Sequence, residues 1–370
     1  MNESTTAYVG LDVDAKFLHV AMLMPDGPRP VEWRVTNEDA SIRRLAKRLL
    51  KAAEGVGLHA CYEAGPTAFA LQRKLQQAGV LCDVIAPSLI PKKAGERVKT
   101  DRRDARKLAQ LLRAGLLTEV RPPTESEEAA RDLCRAREAG VEDRTRCRHR
   151  VSKFLLRRGL RWGRSPWTKV HRKWLLEFSF GQEPEQLAFD SYLLALEQVE
   201  ARVKTLEEHL EKLAETDSYR EPVGWLCCFR GIKTVTAMTL VTELHGFERF
   251  ESPRQLMSFL GLTPSEESSG RRRRLGAITK AGNAHVRRVI VETAWHYQYA
   301  PVTGAILQKR RKGQPGWAIT IAERAQQRLC KRFSDLASKG KERNKVTVAV
   351  GRELVGFIWA LLHHGQIKTA

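Results

Sequence analysis

The stretch from residue 8 to residue 37, YVGLDVDAKFLHVAMLMPDGPRPVEWRVTN, contains three runs of β-forming residues. The runs YVGLDV, FLHVAMLM and VEWRVTN are separated by short turns that contain Asp, Lys, Gly and Pro. This spacing is typical of consecutive antiparallel strands joined by tight turns. The stretch therefore predicts a β-meander as the first part of the fold.

Helices and strands alternate after the meander. A helical pattern covers residues 38–53, because apolar residues recur at helical spacing on one face, at Ile42, Leu45, Leu49 and Leu50. It is followed by the strand HACYEAG, a helix opened by Pro66, the strand CDVIAP and the helix DRRDARKLAQLLRAGLL. The order βββαβαβα is that of a ribonuclease-H-like α/β domain, although other α/β folds share parts of it. We assign residues 1–122 to this domain.

Residues 123–218 are predicted to form a helical linker and a coiled coil. Apolar residues recur there in steps of three and four, at Phe189, Tyr192, Leu196, Val199, Val203, Leu206, Leu210 and Leu213. Such a seam, flanked by Glu, Lys and Arg, is typical of a coiled coil between subunits and predicts a homo-oligomer, a dimer or a tetramer. A long helix that packs on its own domain would give the same pattern.

The remaining residues, 219–370, are predicted to form a mainly helical domain. The segment FRGIKTVTAMTL resembles a helix-hairpin-helix with its turn at Gly231, a motif that contacts DNA phosphates or serves only for packing. Helices are expected near residues 283–299, 315–337 and 345–364. They are preceded by the segment TPSEESSGRRRRLGAITKAGN, which is predicted to be a basic loop.

The charge of the chain indicates a polyanionic partner. Lys and Arg number 64 and Asp and Glu 43, which gives a net charge of +21. Nucleic acid is the usual partner of such a protein, through phosphate contacts and counterion release, although a basic solvated surface has the same composition. Residues 141–175 hold twelve Lys or Arg, two acids and three tryptophans, Trp162, Trp167 and Trp174. These indoles could stack on RNA bases or belong to a core.

Membrane and disulfide chemistry are not indicated by the sequence. The segment MNESTTAYVG lacks the basic and apolar regions of a secretory signal, and the apolar run from Leu354 to Leu362 is too short to span a bilayer. The seven cysteines include no CxxC pair and are expected to be reduced, buried thiols. We expect a cytoplasmic protein with no membrane partner.

Four acidic residues of the first domain are predicted to meet at one end of its sheet. Asp12 lies within YVGLDV and Glu63 ends another predicted strand, while Asp101 and Asp104, in KTDRRDA, share one face of a predicted helix. Four carboxylates would repel one another without a metal. Two Mg²⁺ ions about 4 Å apart, for which Mn²⁺ could substitute, would neutralise them and hold a phosphodiester for in-line attack.

The segments GLDV, YEAG and KTDRRDA, together with GLTPSEESSG, LGAITKAGN and VRR, resemble the insertion-sequence transposase family numbered one hundred and ten. The likeness spans nearly the whole chain. It implies a Holliday-junction-resolvase-like DEDD domain whose metal ligands are Asp12, Glu63, Asp101 and Asp104. It also implies a C-terminal transposase domain with a nucleophilic serine, and a structured bridge RNA that pairs with double-stranded donor and target DNA.

The serine implied by the resemblance lies in Ser268-Ser269-Gly270. The family pattern places it directly before glycine, which favours Ser269, and an alignment shifted by one residue keeps Ser268 as the alternative. Residues 270–288 contain seven Lys or Arg and no acid, an electrostatic setting suited to a scissile phosphate. The residues predicted to contact nucleic acid are Arg271, Arg272, Arg273, Arg274, Lys280, Asn283, Arg287 and Arg288. A flexible basic loop whose serines only hydrogen-bond phosphates would look the same.

The sequence therefore predicts a transposase that cuts and rejoins DNA during insertion-sequence transposition. The alternative enzyme is a metal-dependent DNA nuclease or Holliday-junction resolvase that uses no serine. A third possibility, a non-catalytic nucleic-acid-binding protein, is disfavoured because all four acids are present.

Overall fold

The computed structural model describes residues 5–65, 67–91, 100–269 and 272–369. The chain divides into two compact units, residues 1–124 and 125–370. The first is an α/β unit and the second is largely helical, as the sequence predicts at this level. All seven cysteines are buried and free, as predicted.

The first unit is built on a mixed five-stranded sheet. Its strands are β1 (Thr6–Val13), β2 (Phe17–Leu23), β3 (Val31–Thr36), β4 (Gly57–Glu63) and β5 (Leu81–Ile85), in the order β3-β2-β1-β4-β5. The meander β1–β3 is antiparallel, whereas β4 and β5 run parallel to β1. The predicted meander and the predicted order of elements along the chain are confirmed.

Three helices cover the two faces of this sheet. Helices α1 (Asp39–Ala52) and α2 (Ala70–Gln77) pack on one face, where Val9 and Leu11 of β1 meet Leu45 and Leu75 in the core. Helix α3 (Asp101–Arg113) packs on the other face. Helix α2 begins at Ala70 and not at the predicted Pro66, which lies outside the described residues. The reason is a turn in which Ala68 has a positive φ of 47° and accepts a hydrogen bond from the Tyr62 hydroxyl.

A long helical hairpin opens the second unit. Helix α4 (Glu125–Leu156) runs antiparallel to α6 (Glu183–Ala214), and the short α5 (Lys169–Leu176) lies between them in sequence. The residues of the predicted seam that are fully buried, Phe189, Leu196, Val203 and Leu210, recur every seven residues. A Cβ placed on Gly140 of α4 would lie 2.9 Å from the Val203 side chain. The buried edge of the seam is therefore covered by α4 of the same chain.

The other helices of the second unit enclose its largest core. They are α7 (Asp217–Leu226), α8 (Thr234–Leu244), α9 (Pro253–Phe259), α10 (Ala284–Ala294), α11 (Ala305–Arg311), α12 (Gly316–Ser338) and α13 (Arg343–Thr369). Within α13, residues Arg343–Gly365 are long and apolar enough to cross a bilayer, but half of their most apolar window is buried inside the protein. The Leu354–Leu362 run is a buried helix, as predicted.

One prediction for this unit is wrong. The segment expected to be a loop forms a two-stranded antiparallel ribbon of β6 (Pro264–Ser269) and β7 (Arg272–Ile278). Its strands carry charged residues, and opposite charges face each other across it, as Glu267 pairs with Arg274. Cross-strand pairs of opposite charge stabilise such a ribbon.

Candidate functional site

Helix α3 lies directly against β1 because Gly10 has no side chain. A Cβ at Gly10 would overlap the carbonyl oxygen of Ala105 and lie 2.5 Å from the amide nitrogen of Ala109. Side chains alternate between the two faces of a strand, so Gly10 and Asp12 share the face that α3 covers. The close approach at Gly10 therefore sets the distance between α3 and the strand that carries Asp12.

The predicted acids lie on this face, toward one end of the sheet. The parallel strands β1 and β4 pair Leu11 with Tyr62, so the next residues, Asp12 and Glu63, are neighbours at the carboxyl ends of the two strands. Asp101 and Asp104 occupy the first turn of α3, which Thr100 caps through its side chain. Asp12 and Asp104 are half-buried, whereas Glu63 and Asp101 are exposed.

His19 is a further member of this group that the sequence analysis missed. It is the cross-strand partner of Asp12 in the antiparallel pair β1–β2. Its Nε2 lies 3.5 Å from the Asp101 carboxylate. The contact ties the first turn of α3 to the strand beside Asp12. A lone histidine in an apolar strand gives no signal by itself, because its neighbour depends on the strand register.

The donor set fits a hard divalent cation. Carboxylate oxygens are the ligands that Mg²⁺, Mn²⁺ and Ca²⁺ prefer. In the part of the chain that the structure describes, no group of three or more His, Cys, Asp or Glu side chains is close enough to share one metal ion. The four acids share a face and an end of the sheet, and binding of a metal would require them to approach one another.

The ribbon of the second unit is anchored at its base by two glycines. Gly261 (φ 61°) and Gly282 (φ 75°) face backbone atoms on the opposite side of the base, where a Cβ would overlap the carbonyl oxygens of Ala281 and Phe259 respectively. Three backbone hydrogen bonds close the same base, including Lys280 N–H to Gly261 O at 3.0 Å. The segments Gly261–Leu262 and Lys280–Asn283 therefore depend on each other, because their backbones interlock at the ribbon base.

The serines lie at the opposite end of the ribbon from this base. Ser268 is paired with Arg273, and Ser269, the last residue of β6, is paired with Arg272. The side chains of these four residues, as well as Gly270 and Arg271, lie outside the described residues. Arg274 and Lys280 are exposed on β7 and just beyond it.

Three predicted nucleic-acid contacts are already engaged within the protein. Asn283 caps α10 by accepting a hydrogen bond from Val286 N–H at 2.9 Å. Arg287 donates to the carbonyl oxygens of Leu260 and Ala281, which belong to the ribbon base. Arg288 forms ion pairs with Glu138 and Glu292, both at 2.9 Å. Their clearest role in this structure is to fix α10 and the ribbon base.

A buried carboxylate connects the ribbon base to α4. Glu243 of α8, only 2% exposed, accepts two hydrogen bonds from Arg135 of α4, at 2.7 and 3.0 Å, and one from the Asn283 amide at 2.7 Å. Burial alone would raise the pKa of Glu243, but the hydrogen bonds from Arg135 and Asn283 hold its pKa below the ordinary value. A single acid in the otherwise uncharged helix TVTAMTLVTEL is the signal that could have revealed it.

The predicted helix-hairpin-helix has the expected connection. Helices α7 and α8 are joined through Gly231, whose φ is 85°. A Cβ there would lie 2.7 Å from the His296 ring, so the turn also packs against the segment after α10.

The tryptophans of the basic stretch form an aromatic cluster between α4 and α6. Trp162 and Trp167 each pack on the buried His171 ring, with centroids 5.1 Å apart, and Trp174 stacks on it at 5.7 Å. All three indoles are half-buried. Trp167 and Trp174 pack against a small core, and Arg148 lies over the Trp167 ring, 5.2 Å from its centroid.

Comparisons with known proteins give the family. Residues 225–303 match the model described as the Transposase IS116/IS110/IS902 family, and residues 9–158 match the DEDD transposase model of the same group. The chain is 41% identical over 369 residues to y4qE, a protein of Sinorhizobium fredii provisionally named a transposase; the alignment covers 98% of this chain and 90% of that protein. It is 33% identical to the transposase for insertion sequence element IS1533 of Leptospira borgpetersenii, over 90% of this chain and 98% of that protein.

The match of residues 9–158 to the DEDD transposase model gives the class of protein. The chain belongs to the IS116/IS110/IS902 family of transposases, enzymes that cleave and join DNA. The resemblance found in the sequence is thereby confirmed. The DEDD match also indicates dependence on a divalent metal ion.

Proposed function

We propose that this transposase cleaves DNA through a covalent serine intermediate and that Asp12, Glu63, Asp101 and Asp104 hold Mg²⁺ in a ribonuclease-H-like domain. The observation that carries the metal assignment is the close approach at Gly10, which places the first turn of α3 over the strand end that bears Asp12. Bound Mg²⁺ would supply charge neutralisation at the scissile phosphate. The protein's part is to hold four oxygen donors on one face.

The serine proposal rests on the ribbon. Ser269 is the proposed nucleophile and Ser268 the alternative, since both lie at the distal end of an exposed ribbon rich in arginine. The serine oxygen would form a bond to the scissile phosphorus and lose its proton to water. The bond to one DNA oxygen would break, and that oxygen would leave as a hydroxyl after gaining a proton. A hydroxyl of the partner strand would then attack the phosphoserine and release the serine.

Peptide mass spectrometry on denatured, nuclease-trimmed complexes tests this mechanism. We expect a nucleotide remnant on Ser269, which Ser269→Ala removes while DNA binding is retained, because only one hydroxyl is lost. A remnant on Ser268 would transfer the role to that residue. Strand exchange without any protein–DNA adduct would show that the covalent mechanism is wrong and would favour metal-activated water or a DNA 3′-hydroxyl as the nucleophile. Strand cleavage without rejoining and without an adduct would support the alternative function, a hydrolytic, metal-dependent nuclease or resolvase.

Asp12→Ala and Asp104→Asn test the metal assignment. Each should abolish strand cleavage in Mg²⁺, because the lost ligand leaves the metal charge unbalanced. The thermal midpoint should stay the same or rise, because repulsion among the acids is relieved. Asp14→Asn is the matched control, since Asp14 is exposed in the turn after β1. Full activity of both variants would remove these acids from the site.

We further propose that a structured RNA guides the enzyme and binds the basic hairpin of α4 and α6 in a cytoplasmic complex. Twelve Lys or Arg lie within residues 141–175, and the exposed edges of Trp162, Trp167 and Trp174 could stack on bases. Arg161→Gln with Arg164→Gln should weaken RNA binding at 0.15 M salt. Equal RNA affinity of this variant and the wild type would argue against the hairpin as the RNA site.

Homo-oligomerisation is proposed through the same hairpin. The buried edge of the seam is covered by α4, so a second copy would have to contact another face of α6. Leu187 and Leu194 mark such a face, since they are 63% and 55% exposed and lie seven residues apart on α6. Leu187→Glu with Leu194→Glu should lower the mass measured by light scattering. Leu176→Glu, on α5, is the exposed apolar control. An unchanged mass would place the subunit contact elsewhere.

A further inference from the structure

A pocket in the second unit is lined by residues outside the ribbon. It has a volume of about 550 Å³ and lies between α12 and the segment after the short 3-10 helix Trp295–Gln298. Tyr299 and Pro301 form one wall, and Gln327, Arg328, Lys331 and Ser334 of α12 form the other. This volume is in the range of pockets that bind a group as large as a nucleotide.

The two walls differ in chemistry. Tyr299 is 61% exposed. Aromatic side chains of this size usually bury most of their surface. Arg328 and Lys331 are exposed on the opposite wall, where Arg328 also pairs with Glu353 at 3.1 Å. Among the described residues that line the pocket, none is acidic. An aromatic face opposite two cations suits a ligand with a planar ring and an attached anionic group.

The aromatic wall is held in place by the helix-hairpin-helix turn. Arg230, directly before Gly231, donates hydrogen bonds to the carbonyl oxygens of Tyr299 and Ala300, at 3.5 and 2.7 Å. The turn between α7 and α8 and the wall that carries Tyr299 therefore form one continuous surface. A wall fixed in advance loses less conformational entropy when a ligand binds.

We propose that this pocket binds an unpaired nucleotide of the DNA substrate, with Tyr299 stacked on the base and Arg328 and Lys331 paired with the flanking phosphates. Joining a strand to a new partner requires bases near the cut to unpair, and removal of a base from the stack costs free energy. Stacking on an aromatic side chain offsets part of this cost. This site depends on the DNA substrate of the enzyme and is independent of the serine and of the metal.

Fluorescence anisotropy with the full-length protein tests the proposal. The probes are a paired DNA duplex and the same duplex with a three-nucleotide single-stranded gap. Tyr299→Ala should weaken binding of the gapped duplex about tenfold and leave the paired duplex unchanged, because only the unpaired base loses its stacking partner. Tyr299→Phe should retain wild-type affinity for both, since stacking does not need the hydroxyl.

Matched variants separate this site from the alternatives. Val302→Ala removes an apolar neighbour that is 69% exposed and should change neither affinity. Arg328→Gln with Lys331→Gln should weaken gapped-duplex binding and reduce its dependence on salt. The proposal is overturned if Tyr299→Ala binds gapped DNA as tightly as the wild type or weakens both duplexes equally. It is also overturned if the variant alters only the molecular mass in light scattering, which would make Tyr299 part of a protein contact.

Discussion

Two acids of the first unit lie at the ends of core strands and two lie in the first turn of a helix packed on them, whereas the serines of the second unit lie at the far end of an exposed two-stranded ribbon. Asp12 follows Leu11, which is fully buried, and the helix that carries Asp101 and Asp104 presses on Gly10. The ribbon is fixed through its base, where Gly261 and Gly282 interlock with opposing backbone. One set of residues is thus positioned by a packed core and the other by a single anchor.

This contrast has a physical consequence for the chemistry. Interiors are close-packed, so a residue at the end of a core strand shifts little unless the core itself changes. A two-stranded ribbon is only marginally stable without further packing. The backbone positions of the acids are therefore set by the packed unit, whereas those of the serines are set through the anchored base of the ribbon.

Gly10→Val should give the largest effect, because it disturbs the packing that positions the acids of the first unit. The side chain would displace α3 from β1, because its Cβ would overlap the Ala105 carbonyl. We expect a loss of roughly 3 kcal/mol or more in unfolding free energy, measured by urea titration, together with loss of cleavage. Gly27→Ala is the control, since its Cβ would make an ordinary 3.4 Å contact with Met24. A fully stable Gly10→Val protein would mean that α3 is not held at this distance.

Gly282→Ala tests how the ribbon of the second unit is anchored. Its positive φ and the overlap with the Phe259 carbonyl disturb the base alone. Unfolding free energy should fall by about 1–3 kcal/mol, and formation of the DNA adduct should be lost, while binding of RNA and DNA persists. Gly163→Ala, which has open space around it, should behave as the wild type in both assays. Normal adduct formation by Gly282→Ala would contradict the proposed anchoring role.

The smallest expected effect is a pH dependence of opposite sign in the two units. In the first unit, a 2.6 Å hydrogen bond with Asp83 raises the pKa of His59 above its ordinary 6.5, and Glu119 adds to the effect. A raised pKa stabilises the fold below pH 6.5, and this contribution is lost as the pH rises through the folded value. In the second unit the pKa of Glu243 is lowered, so its contribution is present above pH 4.5 and is lost as the pH falls.

Thermal midpoints of the wild type, His59→Gln and Glu243→Gln measure this difference. The gap between the wild type and His59→Gln should shrink between about pH 6 and pH 9, whereas the gap for Glu243→Gln should shrink between about pH 6 and pH 3. Comparison with the wild type at each pH removes the general effect of net charge. If both gaps shrank as the pH rose, or both shrank as the pH fell, one of the two assigned pKa shifts would be wrong.

Much of the first unit could be predicted from sequence because its strands alternate with turns and its helices show a clear apolar face. The packing of α3 at Gly10 could not, since it depends on which face of β1 the helix covers. The ribbon was missed because PSEESS and RRRRLGAI are dominated by charge and lack the apolar alternation of a strand. The heptad seam of α6 was correctly located, but sequence spacing cannot tell whether the covering helix belongs to the same chain.

Helix α13 carries a consequence for how this protein is made. It supplies Val350, Leu354, Ile358 and Leu361 to the main core of the second unit, and it follows every other helix of that core along the chain. During synthesis the first unit can fold as soon as it leaves the ribosome, whereas the second unit keeps apolar surface open until its last helix emerges. The acidic face can thus form on a nascent chain before the main core of the second unit, on which the β6–β7 ribbon is anchored, has folded. Any chain interrupted before α13 would have a folded first unit beside an aggregation-prone remainder.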